Sequence, residues 1–532
     1  MYRGGGTLDE QSGGEILSRP AAGSKLPPGA EVDLRTVPVI DGPPFTYNAS
    51  VAKKDLVPYS AQQSINTSNT ITFDLPANST PGLMYSFSES SFEFPFTWAW
   101  DSGNWTHDNV PRNGFADLIW DRIELSINGV PVDDEQSNLY PFLAFVRRVL
   151  NQPARGSFLI STDRDGGSSG QWGPSRPSAD AILVDEWTGA PGDMFVSGMD
   201  CTTWRHMIEQ FLLPGGTGTT NIYTKAKQKL RLRPQHPVFK QEMFLPANAH
   251  YRISFTKSSR GAANYGGASY AWYNYGTTTS VGLGTDRYPP VITFQEPTFY
   301  LQTVQLSTVG LSWVAAAKQA AMGAYTYRTQ RYAINQYQLA AGSTNFTHTI
   351  MVARRPQALV IHMIPTTNLS VLDALTANLL NMHPYCSYSI TTEEGHRCAV
   401  KEIYARIGGE QYPKNYRITR ESDGNLLAVG GSSARDYDVY KELTTVGKDG
   451  DPSAQPYLSR HNMEDAFTMY FINLADNGST IQDFHKPALT GSAQIELHME
   501  LYAVAPVNTT VFVTSVENAT FSIDGTRCKT SW

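Results

Sequence analysis

Two short runs, half a chain apart, share one pattern of apolar and polar positions. Ile123-Glu-Leu-Ser-Ile127 is followed by Asn128-Gly129-Val130-Pro131, and Ile403-Tyr-Ala-Arg-Ile407 by Gly408-Gly409-Glu410-Gln411-Tyr412-Pro413. Each run has Ile at both ends and points every second side chain the same way, as a half-buried strand requires. Each then enters a Gly-containing turn, where a positive φ meets no Cβ clash. The Pro that follows cannot donate to a central ladder and favours a strand edge or exit. The repeat predicts two similar β modules in one chain, an arrangement that suits a building block better than an enzyme.

The same alternation predicts strands at Thr70–Leu75, Ile119–Ile127, Lys225–Arg233 and Tyr251–Phe255. In the second half it predicts them at Phe299–Leu306, Arg331–Leu339, Ala358–Met363, Val400–Ile407, Phe467–Asn473 and Gln494–Ala503, the last of these closing the series. Helical spacing is confined to short stretches: Pro141–Leu150, with Phe142, Phe145, Val146 and Val149 on one face, then Trp204–Leu213 and Trp313–Met322. Asn-Gly and Asp-Gly pairs, such as Asn113-Gly114, Asp423-Gly424 and Asp524-Gly525, punctuate both halves. Many short strands joined by such turns predict an all-β fold of two tandem jelly-roll sandwiches, with short helices and long loop insertions. Residues 161–182 and 258–290, rich in Gly, Ser and Tyr, are the clearest insertions. Residues 1–45 are Gly- and Pro-rich without periodicity and read as an extended arm that orders only by docking on a neighbour. The predicted organisation is therefore an arm (1–45), a first jelly roll (46–300), and a second jelly roll with a C-terminal tail (301–532).

Composition narrows the partners. Of 532 residues, 42 are Lys or Arg and 49 Asp or Glu, a net charge of −7. Wrapping nucleic acid needs clustered cations to displace counterions, and the chain as a whole has no such excess. Neither does the arm, where Arg3, Arg19, Lys25 and Arg35 face Asp9, Glu10, Glu15, Glu31, Asp33 and Asp41. Residues 1–30 contain no apolar run of the kind a signal peptide needs. No run approaches the roughly 20 residues of a membrane span. Only Cys201, Cys386, Cys398 and Cys528 occur, too few for the disulfide framework of a secreted β protein. The Asn-x-Ser/Thr sequons, at Asn48, Asn66, Asn78, Asn104, Asn345, Asn368, Asn477, Asn508 and Asn518, therefore read as chance matches in a chain folded in a reducing compartment.

Candidate chemistry is sparse. Gly166-Gly-Ser168-Ser-Gly170 matches a nucleophile pattern but lacks the strand–turn–helix setting that exposes the serine, and reads as a flexible loop. His383, Cys386, His396 and Cys398 cluster in sequence, yet His-x-Cys is too tight for a structural zinc site; the reading is small thiols at strand starts. No cofactor motif is present. The sharpest charge feature is Lys225-x-Lys227-x-Lys229-x-Arg231-x-Arg233, whose five cations share one face at the strand period of two. Such a strip is either a solvated edge strand guarded against pairing or a contact to an acidic subunit or an inner layer.

These residues resemble a known family. Phe244-Leu-Pro-Ala-Asn-Ala-His-Tyr-Arg-Ile-Ser-Phe255 is similar to a segment of the double jelly-roll major capsid proteins of polintons, adintoviruses, adomaviruses and virophages, distant relatives of adenovirus hexon. Ile123–Pro131 followed by Tyr140-Pro141-Phe142 looks like that family's strand, Asn-Gly turn and helix start. Tyr327–Leu339 followed by Arg354-Arg-Pro-Gln-Ala-Leu-Val-Ile361 resembles its extended strand and the next, while Gly408-Gly409 before Gln411-Tyr-Pro413 departs from its usual turn. The likeness spans about residues 70–505. It implies a capsid subunit without catalysis or cofactor, a homotrimer of pseudo-hexagonal outline tiling an icosahedral shell. Its implied partners are neighbouring capsomers, penton and minor capsid proteins, with either an inner membrane or a basic core protein between shell and genome. Its implied location is the virion, after synthesis in the host cytoplasm and with the nucleus as one place of assembly. The competing reading is a secreted carbohydrate-binding or carbohydrate-active β-sandwich, drawn from the sequons and from Trp98, Trp100 and Trp105.

Overall fold

The computed structural model describes residues 50–65, 67–99, 109–111, 115–133, 139–151, 228–258, 272–274, 291–320, 323–352, 354–369, 400–413, 418–419, 434–444, 469–474, 493–525 and 527–531. The first part of the chain forms β1 (Val51–Ser60), β2 (Thr70–Leu75), β3 (Leu83–Ala99), β4 (Asn109–Pro111), β5 (Trp120–Ile127), β6 (Val130–Pro131), β7 (Gln228–Leu232), β8 (Leu245–Pro246), β9 (Tyr251–Lys257), β10 (Trp272–Asn274), β11 (Val291–Phe294) and β12 (Thr298–Leu306). Helix α1 (Phe115–Leu118) precedes β5 and α2 (Tyr140–Asn151) follows β6. The strands build a six-stranded sheet, β1-β12-β3-β11 with β7 and β8 also on β3, and a four-stranded sheet, β2-β9-β5-β6; β4 pairs with β10 apart from both.

Alternation puts the aromatic side chains of both sheets between them. Phe92 stacks on Phe299 at 4.2 Å and meets Phe255 edge-on at 4.7 Å, while Trp120 lies 4.9 Å from Phe94. Each such pair contributes about 0.5–1.5 kcal/mol beyond the area it buries.

Helix α3 (Thr308–Ala320) connects to the second part: β13 (Tyr325–Leu339), β14 (Asn345–Val352), β15 (Ala358–Pro365), α4 (Thr366–Leu369), β16 (Val400–Ile407), β17 (Glu410–Tyr412), β18 (Ile418–Thr419), α5 (Ala434–Leu443), β19 (Met469–Asn473), β20 (Ala493–Leu501), β21 (Thr509–Asp524) and β22 (Arg527–Ser531). Here one five-stranded sheet runs β13-β21-β15-β19 with β22 on β21, and the other runs β14-β20-β16-β17 with β18 on β16. The two parts thus repeat one strand order. β13, β21 and β15 stand where β1, β12 and β3 do, and β14-β20-β16-β17 where β2-β9-β5-β6 does. Two packed antiparallel sheets in this order, twice over, make two jelly rolls.

The repeated signature occupies the same place in each copy, since its first run is β5 and its second is β16. The turns that follow have φ of 51° and 78° at Asn128 and Gly129 and of 58° and 88° at Gly408 and Gly409. Two successive positive φ values match the right-handed twist of the strands they join, which is why Asn and Gly stand there.

One expectation is corrected. The series of strands does not close at Gln494–Ala503, because β21 and β22 follow it. β21 pairs along one side with β13 and along the other with β15, and so lies at the centre of its sheet. It carries no alternating signal because Thr509–Ala519 is buried on both faces. β14, also absent from the expectation, is an alternating strand whose outward positions are Asn, Thr, Thr and Met rather than charged residues. The helix expected at Trp204–Leu213 lies outside the described residues, as does the 1–45 arm.

Candidate assembly surfaces

Helix α2 is where the two jelly rolls meet. From Tyr140 to Leu150 every residue of α2 is buried. One flank packs on the first jelly roll. The other covers the outer face of the β13-β21-β15-β19 sheet, where Phe142 stacks on Phe512 at 4.3 Å and His362 sits 5.8 Å from both Phe142 and Phe145. All eight residues of β15 are therefore buried. Leu359, Ile361 and Met363 enter the second core, while Val360 and Ile364 join the cluster that continues into the first jelly roll.

Two consecutive arginines of α2 are buried at this seam, and the first of them crosses it. Arg148 pairs with the buried Asp117 of α1, whose other oxygen accepts from the Tyr140 hydroxyl at 2.6 Å. Arg147 donates to the carbonyls of Gln235 at 2.5 Å and of Gln330, in β13, at 3.3 Å, with its guanidinium 4.4 Å from the Tyr332 ring centre. Burial pushes the Asp117 carboxyl above its ordinary value, against the pull of Arg148, Tyr140 and Lys240. Burial likewise holds the Tyr140 hydroxyl far above its usual value, and Asp117 beside it adds to the effect. Further ties run from the Tyr440 hydroxyl to the Val149 carbonyl at 2.8 Å, from the Tyr327 hydroxyl to the Phe244 carbonyl at 3.0 Å, and from the Asn128 amide to the Gly525 carbonyl at 3.1 Å. Sequence reasoning missed this site. The available signal was an Arg-Arg pair inside a helix whose other residues are nearly all apolar, since no face is left on which two neighbouring cations could both be solvated.

The basic strip is divided. Lys225 and Lys227 lie outside the described residues. Lys229 and Arg231 belong to β7, registered opposite Pro95 and Glu93 of β3, while Leu230 and Leu232 stand opposite the core residues Phe94 and Phe92. Arg233 follows the strand and is half-buried.

The other candidates of the sequence lie largely elsewhere. Ser168, His383, Cys386, His396, Cys398, Trp100 and Trp105 are all outside the described residues. Cys528 is buried in β22, and burial pushes its thiol up to about 11. Among the sequons, Asn518 sits in the middle of β21 at 7% exposure, where a glycan has no room. Among the described residues no group of three or more metal-ligating side chains converges. No helix among them is long and apolar enough to cross a membrane.

No family model and no curated protein matches the chain. Solved structures do. A chain in the cryo-EM structure of the Sputnik virophage superposes with a TM-score of 0.51 at 12% identity, over 96% of this chain and 93% of that one. The fold is the double jelly roll of viral major capsid proteins. The mavirus major capsid protein aligns with a TM-score of 0.45 at 10% identity, covering 95% of this chain and 97% of its own. The Faustovirus major capsid protein gives 0.42 at 9%, with 91% and 92% covered. In this double jelly roll Arg147 ties the first sandwich to the second through the Gln330 carbonyl and the Tyr332 ring, while Arg148 and Asp117 fix α2 against α1 within the first.

Proposed function

We propose that this chain is a major capsid protein, assembling as homotrimers of pseudo-hexagonal outline that tile an icosahedral shell. The observation that carries the reading is the pair of same-order jelly rolls joined by a buried seam, a fold shared along 96% of the chain with the virophage shell structure. In this reading the protein resides in the virion and contacts neighbouring capsomers, penton and minor capsid proteins. It catalyses no reaction. The first jelly roll is read as ending near α3, a reading supported by the pairing of β12 with β1 and β3. The 1–45 arm docks on a neighbouring subunit. The strip Lys225, Lys227, Lys229, Arg231 and Arg233 faces a neighbour or the inner surface. Binding to nucleic acid is weak, because neither the arm nor the net charge of −7 supplies the cations that phosphate neutralisation needs.

Light scattering tests the central claim. The purified chain should weigh three times its 58.7 kDa, and negative-stain images should show capsomer-sized particles or shells. A stable monomer at micromolar concentration would sink the reading.

A further inference from the structure

Open strand edges present unpaired N–H and C=O groups, and proteins normally guard them with charge, Pro, bulges or covering chain. In this molecule the guards are distributed unevenly. β1, which pairs only with β12 among the described residues, carries Lys53, Lys54 and Pro58 and a bulge between Val51 and Lys53. β2, the edge strand of the other sheet of the first jelly roll, is sealed by the chain before it. The Gln62 N–H donates to the Thr72 carbonyl at 2.8 Å, and the Thr72 N–H donates to the Gln63 side chain at 2.8 Å.

β14 holds the position of β2 in the second jelly roll and, among the described residues, has none of these guards. Among the described residues it pairs only with β20, in an unbroken register from Asn345↔Glu500 to Val352↔Ala493. Its eight residues, Asn-Phe-Thr-His-Thr-Ile-Met-Val, include no Lys, Arg, Asp, Glu or Pro. Phe346, Ile350 and Val352 anchor it to the core, while Asn345, Thr347, Thr349 and Met351 are exposed, Met351 to 71%.

We propose that this edge is an interaction surface whose occupant is β14 of a second copy, added antiparallel so that two sheets become one. The argument for a second copy is charge. Antiparallel self-pairing sets each residue against another from the same uncharged strand, so no like charges meet, whereas β1 paired with itself would crowd Lys53 and Lys54. A two-fold axis normal to the sheet at Thr349 sets Thr347 of one copy against Met351 of the other and keeps both cores on the same side of the joined sheet. An eight-residue edge is far smaller than the ~1,000 Å² that a stable interface needs, so the contact forms where other contacts already hold copies together. In that respect the inference rests on the capsid reading.

The test uses full-length chain under assembly conditions. Replacing Thr349 with photoreactive p-benzoylphenylalanine and irradiating the assembled particles should link residue 349 to residues 345–352 of another copy. A link to residues 1–49 or to any other segment, or no link in particles that form normally, overturns the proposal. Thr349→Lys with Met351→Lys sets like charges across the joined edge and should abolish particles while leaving trimer and melting temperature unchanged. Leu56→Lys, on the guarded β1 edge, should leave particles intact. If wild-type chain forms neither trimers nor particles, the capsid reading falls and takes this one with it. If wild type and the double-lysine variant assemble equally well, the edge proposal alone fails.

Discussion

Arg148 and Asp117 form an ion pair removed from water, in which removing one partner is costlier than removing both. Arg148→Met strands a buried carboxylate and should destabilise the protein by about 3–5 kcal/mol, read as a shift in the denaturant midpoint. Adding Asp117→Leu should restore much of that loss. The pH dependence has a definite sign. Burial raises the Asp117 pKa in the folded state, so ionising this group opposes folding, and its cost sets in as pH rises from the unfolded value through the folded one. The deficit of Arg148→Met should therefore be largest at neutral pH and shrink on acidification. A deficit that is constant with pH would mean that the loss comes from packing rather than charge.

Among the elements, β21 has the most to hold together. It is the strand that joins β13 to β15, and among the described residues β22 pairs only with it. Ending the chain at Val504 should leave β13 without a sheet and give insoluble protein, whereas ending it at Asp524 should keep the cooperative melt. Soluble yield and thermal unfolding of the two truncations would decide the matter. The same strand shows where a sequence stops being readable. β5, β16 and their turns are legible because the need for positive φ is local and only Gly, Asn and Asp meet it cheaply. Helix α2 is legible from the spacing of Phe142, Phe145, Val146 and Val149. β21 is not, because being buried on both faces erases the period of two. The Asp117–Arg148 pair is not either, since 31 residues separate its partners and their meeting depends on how α1 packs beside α2.

For the whole molecule, the seam implies that the jelly rolls are not independent folding units. Without α2, the second one would expose Val360, Ile364, Phe512 and Val516, all nearly fully buried in the intact chain. An apolar face of that extent on a free domain promotes association. Residues 321–532 expressed alone should therefore aggregate or bind a hydrophobic dye, while the full chain does neither; gel filtration with dye fluorescence would show it. A well-behaved monomer from that fragment would mean that α2 only covers the sheet and does not complete it.

The two copies of the fold are also unequal hosts for mutation. On the first jelly roll, positions such as Tyr300 and Gln302 in β12 keep partial access to water, so a polar replacement there has somewhere to go. Their counterparts around β15 and β21 have protein on both sides. Substitution is therefore less constrained on that face of the first half than on the matching face of the second, and resemblance between the halves is weakest there. What persists is the part that both copies need for the same local reason: a strand, a left-handed turn and its return. That short stretch is where two halves of one strand order still read alike in sequence.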